Sequence, residues 1–187
     1  SIIMRAGIEK YYLFLFVALV PWLFFSTCLT GGASCIMAQQ DMVKKIYFPR
    51  EVLPISYVIS QFVNMLLTFL IIFIVVIISG IGINGVALLY LPIIMIVEFI
   101  LALGITMLVS ALTVYFRDLE YILNILSMIW MYLTPIMYSV EQVPKEIMAI
   151  FNINPMTPIV IAYRDILYYK RVPEISTLGH AFMLGIV

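Results

Sequence analysis

The chain has 187 residues, of which 65% are hydrophobic and 11% are charged, and its ten basic and ten acidic side chains cancel to a net charge of zero. Typical soluble domains are about 45–50% apolar and about 25% charged, so this composition excludes an ordinary soluble domain. The charge balance also leaves no basic surface for nucleic acid. The composition therefore predicts an all-α, polytopic membrane helix bundle.

Several apolar stretches are long enough to cross a bilayer, because a spanning helix needs about 20 mostly apolar residues. Four complete spans are predicted at Tyr11 to Cys35, Pro54 to Ser79, Val86 to Val114 and Tyr121 to Ser139, and part of a fifth begins near Ser176. We expect residues 1–187 to form a single transmembrane domain that is truncated at both ends, since the sequence begins without methionine and stops within an apolar run.

The two cysteines, Cys28 and Cys35, lie in the first stretch at a spacing that puts them near one helix face but too far apart to bridge each other. The single histidine, His180, is distant in sequence. We expect the cysteines to be small buried hydrophobic side chains and expect no metal site.

A polar loop at 41–54 separates the first two predicted spans. Its charge is concentrated in the run Lys44-Lys45-Ile46-Tyr47-Phe48-Pro49-Arg50-Glu51. Aromatic side chains and arginine are common anchors of protein interfaces, so one interpretation is a docking loop for a partner protein. The alternative is a plain basic loop on the inner membrane face, in which Pro54 begins the next helix.

The uncharged run from Val52 to Val97 would be about 69 Å long as one helix, which is more than twice the hydrocarbon core of about 30 Å. A turn is therefore predicted at Gly80 to Gly85, where glycine and asparagine tolerate the required backbone angles. The same residues match G-x-G-x-x-G, but a dinucleotide site needs a preceding strand in a βαβ unit. The sequence also contains no G-x-x-x-x-G-K-[ST] motif that would hold ATP phosphates.

Glu98 is the only carboxylate deep within a predicted span. A charge there costs at least about 2.5 kcal/mol on insertion scales, so such residues face a cavity or a partner. One interpretation places Glu98 with Gln61 and Asn64 on a membrane channel or a subunit interface. The other is a carboxyl group that is satisfied by Gln61, Asn64 or Asn124 on neighbouring helices.

Aromatic residues near the spans also have two interpretations. Trp130 and Tyr132 could line a channel, or they could belong to the aromatic belts found at membrane interfaces. Arg117-Asp118, in the loop between the third and fourth spans, could contact a partner protein or could pair with each other at the membrane boundary.

The segment 140–175 is neither a clean span nor a polar loop. Asn154, Pro155 and Pro158 divide its apolar part into short helical pieces, which suits re-entrant or interfacial helices. Arg164 could meet a phosphate or sugar there, or could form a salt bridge with Asp165 or Glu174.

These features occur in an order that resembles one known family. The matching residues are Pro21-Trp22, the run from Lys44 to Pro54, Phe116-Arg117-Asp118, Pro135 with Tyr138, Val143-Pro144, Asn154-Pro155 and Arg164. Together they are similar to the permease subunit of polysaccharide-exporting ABC transporters, which move O-antigen, capsule and teichoic acid precursors. The resemblance covers nearly the whole chain.

The resemblance implies six spans per full-length subunit, a homodimer in the bacterial plasma membrane, and two copies of a separate ATPase subunit that binds ATP and Mg²⁺. The chain itself would be a transport subunit without catalytic residues or a cofactor. Its substrate would be a lipid-linked glycan, carried through a membrane-embedded path.

The resemblance also implies two functional segments. The loop 41–54 would be cytoplasmic and would couple to the ATPase, together with the second loop, through Lys44, Lys45, Tyr47, Phe48, Pro49, Arg50, Glu51, Arg117 and Asp118. The segment 140–175 would form external gate helices marked by Pro144, Asn154, Pro155 and Arg164.

Three other functions fit parts of the sequence. A drug or small-molecule exporter of the same superfamily would share the architecture. A secondary transporter would show inverted repeats, and none is seen. A membrane enzyme of glycolipid synthesis would cluster carboxylates or histidines at a membrane face, where only Asp118 and Glu120 are found.

Overall fold

The computed structural model describes residues 11–45, 49–78, 85–138, 154–171 and 179. Within these ranges all regular structure is helical. The helices are α1 (Tyr11–Ala38), α2 (Gln40–Lys45), α3 (Val52–Ile78), α4 (Gly85–Leu88), α5 (Leu91–Tyr115), α6 (Leu119–Leu133) and α7 (Met156–Leu167). The predicted all-α class is confirmed.

Three helical segments among the described residues are long and apolar enough to cross a membrane: α1, α3, and α4 together with α5 over Gly85–Tyr115. They match the first three predicted spans. The fourth prediction, Tyr121 to Ser139, was wrong at its end, because α6 stops at Leu133 after 15 residues. Pro135 disfavours helical backbone at the preceding residue, and Thr134 is extended, with ψ of 134°.

Two predicted features lie outside the described residues. The predicted turn at Gly80 to Gly85 lies outside the described residues except for Gly85, and the fifth span falls on residues from Ser176 onward, of which only Gly179 is described. The helices on either side of the turn are nevertheless clear, since α3 ends at Ile78 and α4 begins at Gly85. A helix therefore stands where a dinucleotide site would need a strand.

Helix α1 is the centre of the bundle and contacts α3, α5, α6 and α7. Because it has neighbours on several sides, it buries 13 of its 28 residues, whereas α3 buries only 7 of 27. The peripheral helix α6 buries only Leu123 and Ser127. Helices α1 and α3 are therefore both uncharged, but α1 is a core element of the bundle and α3 is an outer element.

Two adjacent glycines on α1 allow its neighbours to approach closely. A Cβ atom at Gly32 would overlap the methyl group of Thr106 on α5, and one at Gly31 would overlap the phenol of Tyr57 on α3. The Thr106 hydroxyl also donates a hydrogen bond of 3.1 Å to the carbonyl of Cys28. Small residues at helix contacts are typical of packing within membranes.

Candidate functional site

A cavity of about 690 Å³ lies where the predicted coupling loop and the second loop come together. Its walls are the end of α1, the beginning of α2, the beginning of α3 and the end of α5. We call this end of the bundle the loop end. Ile36, Met37, Met107 and Val114 provide an apolar floor, while Arg50, Glu51 and Arg117 provide charge at the rim. Residues from the two predicted loops thus share one cleft.

The charged side chains at this cleft are uncommitted. Arg50, Glu51 and Arg117 are exposed, and none of them forms a side-chain hydrogen bond or ion pair within the described part of the chain. Asp118 is exposed as well and precedes α6 without making a side-chain cap, so an internal Arg117–Asp118 pair is not formed. These exposed charged side chains are available to bind a partner protein.

The remaining predicted coupling residues are only partly described. Lys45 and Pro49 are exposed beside the cleft. The side chain of Lys44, and the whole of Tyr47 and Phe48, lie outside the described residues. Their contact with a partner protein stays a prediction.

The aromatic residues beside Arg117 were not assigned a role from the sequence. Tyr115 is 82% exposed, Phe116 is 67% exposed and Tyr121 is 71% exposed. Aromatic and arginine side chains are enriched at interface hot spots. Their position on both sides of a short charged turn is the signal that could have identified them.

Glu98 on α5 is fully buried, and its Oε2 accepts a hydrogen bond of 2.7 Å from the hydroxyl of Tyr163 on α7. The ring of Phe69 stacks on Tyr163 at 5.2 Å. The predicted partners were wrong. Asn64 donates to Gln61 over 3.5 Å, and Asn124 donates to a backbone carbonyl of its own helix.

The cause of this error is topological. Glu98 and Tyr163 are 65 residues apart in the sequence. No local sequence pattern predicts that Tyr163 on α7 lies beside α5. Gln61 and Asn64 instead lie on a half-exposed or exposed face of α3. Among the described hydrogen bonds, neither Gln61 nor Asn64 is therefore a partner of Glu98.

Asn154 organises the beginning of α7. Its side-chain oxygen accepts hydrogen bonds from the indole of Trp130 at 2.8 Å and from the amide of Met156 at 2.9 Å. Its amide group donates to the Thr134 hydroxyl at 2.9 Å. Asn154-Pro155 thus precedes a short helix, and Asn154 ties that helix to the end of α6. The break predicted here between two helices stays a prediction, because the residues before Asn154 lie outside the described ranges.

Arg164 lies near the other end of α7 and is only 3% exposed. Its guanidinium donates hydrogen bonds to the backbone carbonyls of Pro135, Ile136 and Tyr138 and lies 3.6 Å from the centre of the Phe14 ring. Neither interpretation from the sequence anticipated this arrangement. The side chain is buried rather than open to a substrate, and its described partners are carbonyls rather than the carboxylate of Asp165.

The two predicted channel aromatics have different environments. Trp130 is half-buried, packs edge-to-face on Phe25 at 5.4 Å and donates to Asn154, so it supports the packing of α7. Tyr132 is 63% exposed on the outer face of α6. Pro144 and the rest of residues 139–153 lie outside the described ranges.

Both cysteines are free, with Cys28 buried and Cys35 half-exposed. In the described portion of the chain, no three metal-ligating side chains come close enough to hold an ion.

The fold and the loop-end cleft define a class of protein: a multi-span helical membrane protein that presents uncommitted charge and aromatic rings at one end. Comparison with known families is more specific. Residues 3–168 match the model of the ABC-2 type transporter family, and the chain belongs to this family.

Three relatives carry the name O-antigen export system permease protein RfbA. One from Myxococcus xanthus is 31% identical over 180 residues, which cover 95% of this chain and 69% of the relative. One from Klebsiella pneumoniae is 32% identical over 192 aligned positions, covering 100% of this chain and 73% of the relative. Another from Klebsiella pneumoniae is 30% identical and covers 89% of this chain and 64% of the relative.

Proposed function

We propose that the chain is the permease subunit of an ATP-driven exporter that moves a lipid-linked polysaccharide, such as an O-antigen or teichoic acid precursor, across the bacterial plasma membrane. Two permease subunits would form the membrane path, and two ATPase subunits would bind ATP and Mg²⁺. The names of the three RfbA relatives support the substrate class. The absence of an ATP phosphate-binding motif from the sequence supports a separate ATPase.

The loop-end cleft is the observation that carries the proposal. Arg50, Glu51 and Arg117 belong to two different loops but border one cavity of about 690 Å³. A partner that contacts both loops can therefore change the separation of α3 and α5, because the cavity walls are the ends of these helices. Exposed Phe116 and Tyr115 add apolar anchoring area next to the charges.

In this mechanism, ATP hydrolysis in the partner subunits moves the loop 41–54 relative to the second loop. Lys44, Lys45, Tyr47 and Phe48 would extend the contact, together with Pro49, Arg50, Glu51, Arg117 and Asp118. The motion would pass along α3 and α5 to the membrane path. The segment 140–175, with Pro144 and the Asn154-Pro155 break, would act as the external gate.

The first test is composition of the purified complex. The full-length permease is extracted gently from its own membrane, and mass spectrometry identifies what co-purifies. A stoichiometric ATPase subunit together with a polyprenyl-linked glycan is the expected result. Recovery of the permease alone, or with an ATPase but with drug-like molecules as the transported species, would contradict the proposal.

The second test addresses coupling. Arg50→Ala and Arg117→Ala are compared in the complete complex with Glu120→Gln, which changes a charge in the first turn of α6, outside the cleft lining. We expect export per ATP hydrolysed to fall in the two arginine variants, by about tenfold if each loses one charged hydrogen bond, while the Glu120→Gln variant behaves as wild type. Normal export by both arginine variants would exclude the cleft from coupling.

A further inference from the structure

Helix α3 carries all its polar side chains on one face. These six residues are Ser56, Tyr57, Ser60, Gln61, Asn64 and Thr68, and the other 21 residues of this 27-residue helix are apolar. At about 100° per residue, the six fall within an arc of about 140°. The rest of the circumference includes Ile59, Leu66 and Leu70, which are exposed apolar side chains of the kind that suits lipid.

The polar face of α3 forms a groove with α1. A cavity of about 490 Å³ lies between Gly31, Ser34 and Cys35 on one wall and Ser56, Tyr57 and Ser60 on the other. A second cavity of about 120 Å³ continues along the same pair of helices, between Thr27 on α1 and Gln61, Asn64 and Thr68 on α3. We call these two cavities together the α1–α3 groove.

The polar groups of the α1–α3 groove have hydrogen-bonding capacity to spare. The amides of Gln61 and Asn64 are joined by a single long hydrogen bond of 3.5 Å, although each amide has two donor hydrogens and an acceptor oxygen. The Ser56 and Thr68 hydroxyls donate to carbonyls of their own helix, which leaves their oxygens able to accept.

Acyl chains cannot satisfy these groups. A polar side chain turned toward hydrocarbon has no hydrogen-bond partner, so polar residues within spans face another helix or a water-filled cavity. A polar face on a helix whose other faces are apolar thus indicates a polar occupant. The groove begins at the loop end and extends from Ser56 to Thr68, which is about 18 Å of helix.

The lining also limits the chemistry of the occupant. Neither cavity is lined by a lysine, an arginine, an aspartate or a glutamate, so the groove offers nothing to neutralise a phosphate or an ammonium group. Its amides and hydroxyls both donate and accept hydrogen bonds, as do the hydroxyls of a neutral sugar. The rings of Tyr57 and of Phe24, which packs against Phe62 at 5.8 Å, provide apolar faces beside them.

We propose that the α1–α3 groove binds the sugar hydroxyls of the glycan as it crosses the membrane, an assignment that rests on the proposed export function. Gln61 and Asn64 are the specificity-determining donors and acceptors. The loop-end cleft, which carries the arginines, is a separate site for the partner subunit.

The natural cysteines test whether the groove holds water and glycan. Cys35 lines the groove and is half-exposed, while Cys28 is buried on the same helix and serves as the internal control. Inside-out membrane vesicles, whose cytoplasmic face is outward, are prepared from cells expressing the complete exporter with synthesis of the lipid-linked glycan either active or blocked. The vesicles are treated with a membrane-impermeant methanethiosulfonate. Mass spectrometry of the two cysteine peptides measures modification.

We expect Cys35 to react and Cys28 not to react, and we expect the rate at Cys35 to fall by about tenfold when glycan fills the groove, as for a site that is 90% occupied. If Cys35 reacts only with a lipid-soluble maleimide, the groove faces lipid. If it reacts with neither reagent, a helix of a second copy or of another part of the chain covers the groove. Either result overturns the inference, as does equal reactivity with and without glycan in cells that export it.

A variant pair tests the role of the amides. Gln61→Leu combined with Asn64→Leu keeps side-chain size while removing both amides, and Leu70→Met on the lipid-facing side is the matched control. We expect glycan export to fall by about tenfold or more in the double variant, with normal membrane levels, normal ATPase association and normal ATP hydrolysis. Undiminished export would overturn the inference.

The two proposals fail in different ways. If the wild-type complex exports no glycan, the proposed function is wrong whatever the variants show. If the wild type exports glycan but the double variant does so equally well, only the groove assignment is wrong.

Discussion

Charged and polar residues are used in opposite ways at the loop end and around α7. Arg50, Glu51 and Arg117 at the loop end are exposed and have no side-chain partners in the described structure. Arg164 and Glu98 are 3% and 0% exposed, and both are hydrogen-bonded. The comparison shows that the partners of a charged residue in a membrane protein indicate its role. The loop-end residues have no internal partner and are available to another molecule, whereas Arg164 and Glu98 hold the bundle together.

The largest effect is expected at Arg164. An arginine stays protonated in proteins, so its buried charge depends on the carbonyls of Pro135, Ile136 and Tyr138. Arg164→Met would leave these acceptors unpaired and lower the stability of the purified protein by about 3 kcal/mol or more. Thermal unfolding in detergent measures this loss.

The matched control for Arg164 is Arg171→Met, since Arg171 is exposed. We expect this substitution to change stability by less than about 0.5 kcal/mol. Equal stability of the two variants would break the contrast between the two regions.

The next largest effect is expected at the Glu98–Tyr163 hydrogen bond. Tyr163→Phe removes the donor to Glu98 and leaves a fully buried carboxyl group without that partner, at a cost of about 2 kcal/mol. Combining Tyr163→Phe with Glu98→Leu removes both polar groups, so we expect part of the stability to return. A double-mutant cycle measured by thermal unfolding gives the coupling, and strictly additive effects would show that the hydrogen bond contributes nothing.

A smaller effect is expected where α1 meets α5. Gly32→Ala places a methyl group against the Thr106 side chain and should cost about 1–2 kcal/mol through overpacking. Thr106→Ser removes the clashing methyl but keeps the hydroxyl that bonds to Cys28. Adding Thr106→Ser to Gly32→Ala should therefore restore most of the melting temperature, and a failure to do so would place the strain elsewhere.

The smallest effect on stability is expected at Arg117. Because its side chain is exposed and makes no hydrogen bond or ion pair with described residues, Arg117→Ala should change the unfolding free energy by less than about 0.5 kcal/mol. The same variant should reduce coupling in the complete complex. A large loss of stability without the partner present would mean that Arg117 is structural, as Arg164 is.

Much of the fold could be predicted because membrane crossing is a local property. A run of about 20 apolar residues is sufficient to define a span, and the boundaries of α1, α3 and α5 follow such runs. The end of α6 was predicted six residues too late, since residues up to Ser139 stay uncharged while Pro135 ends the helix. A prediction based only on the length of the uncharged run does not take Pro135 into account.

The candidate site was predicted only in part. The polar run at 44–51 and the pair at 117–118 stood out by their charge, but their approach to one cavity depends on how α3 and α5 pack against α1. The partner of Glu98 was missed for the same reason. Tyr163 looks like any other aromatic residue in an apolar segment until α7 is placed beside α5.

The sequence by itself determined the membrane environment, the helical class and the polar loops, because each follows from the composition of a continuous stretch. Only the tertiary structure decided that Arg164 is bound by carbonyls, that Glu98 meets Tyr163 and that the polar face of α3 forms a groove with α1. Hydrogen bonds act over about 3 Å, whereas these partners are separated by tens of residues along the chain. These hydrogen bonds can therefore be identified only when the packing of the helices is known.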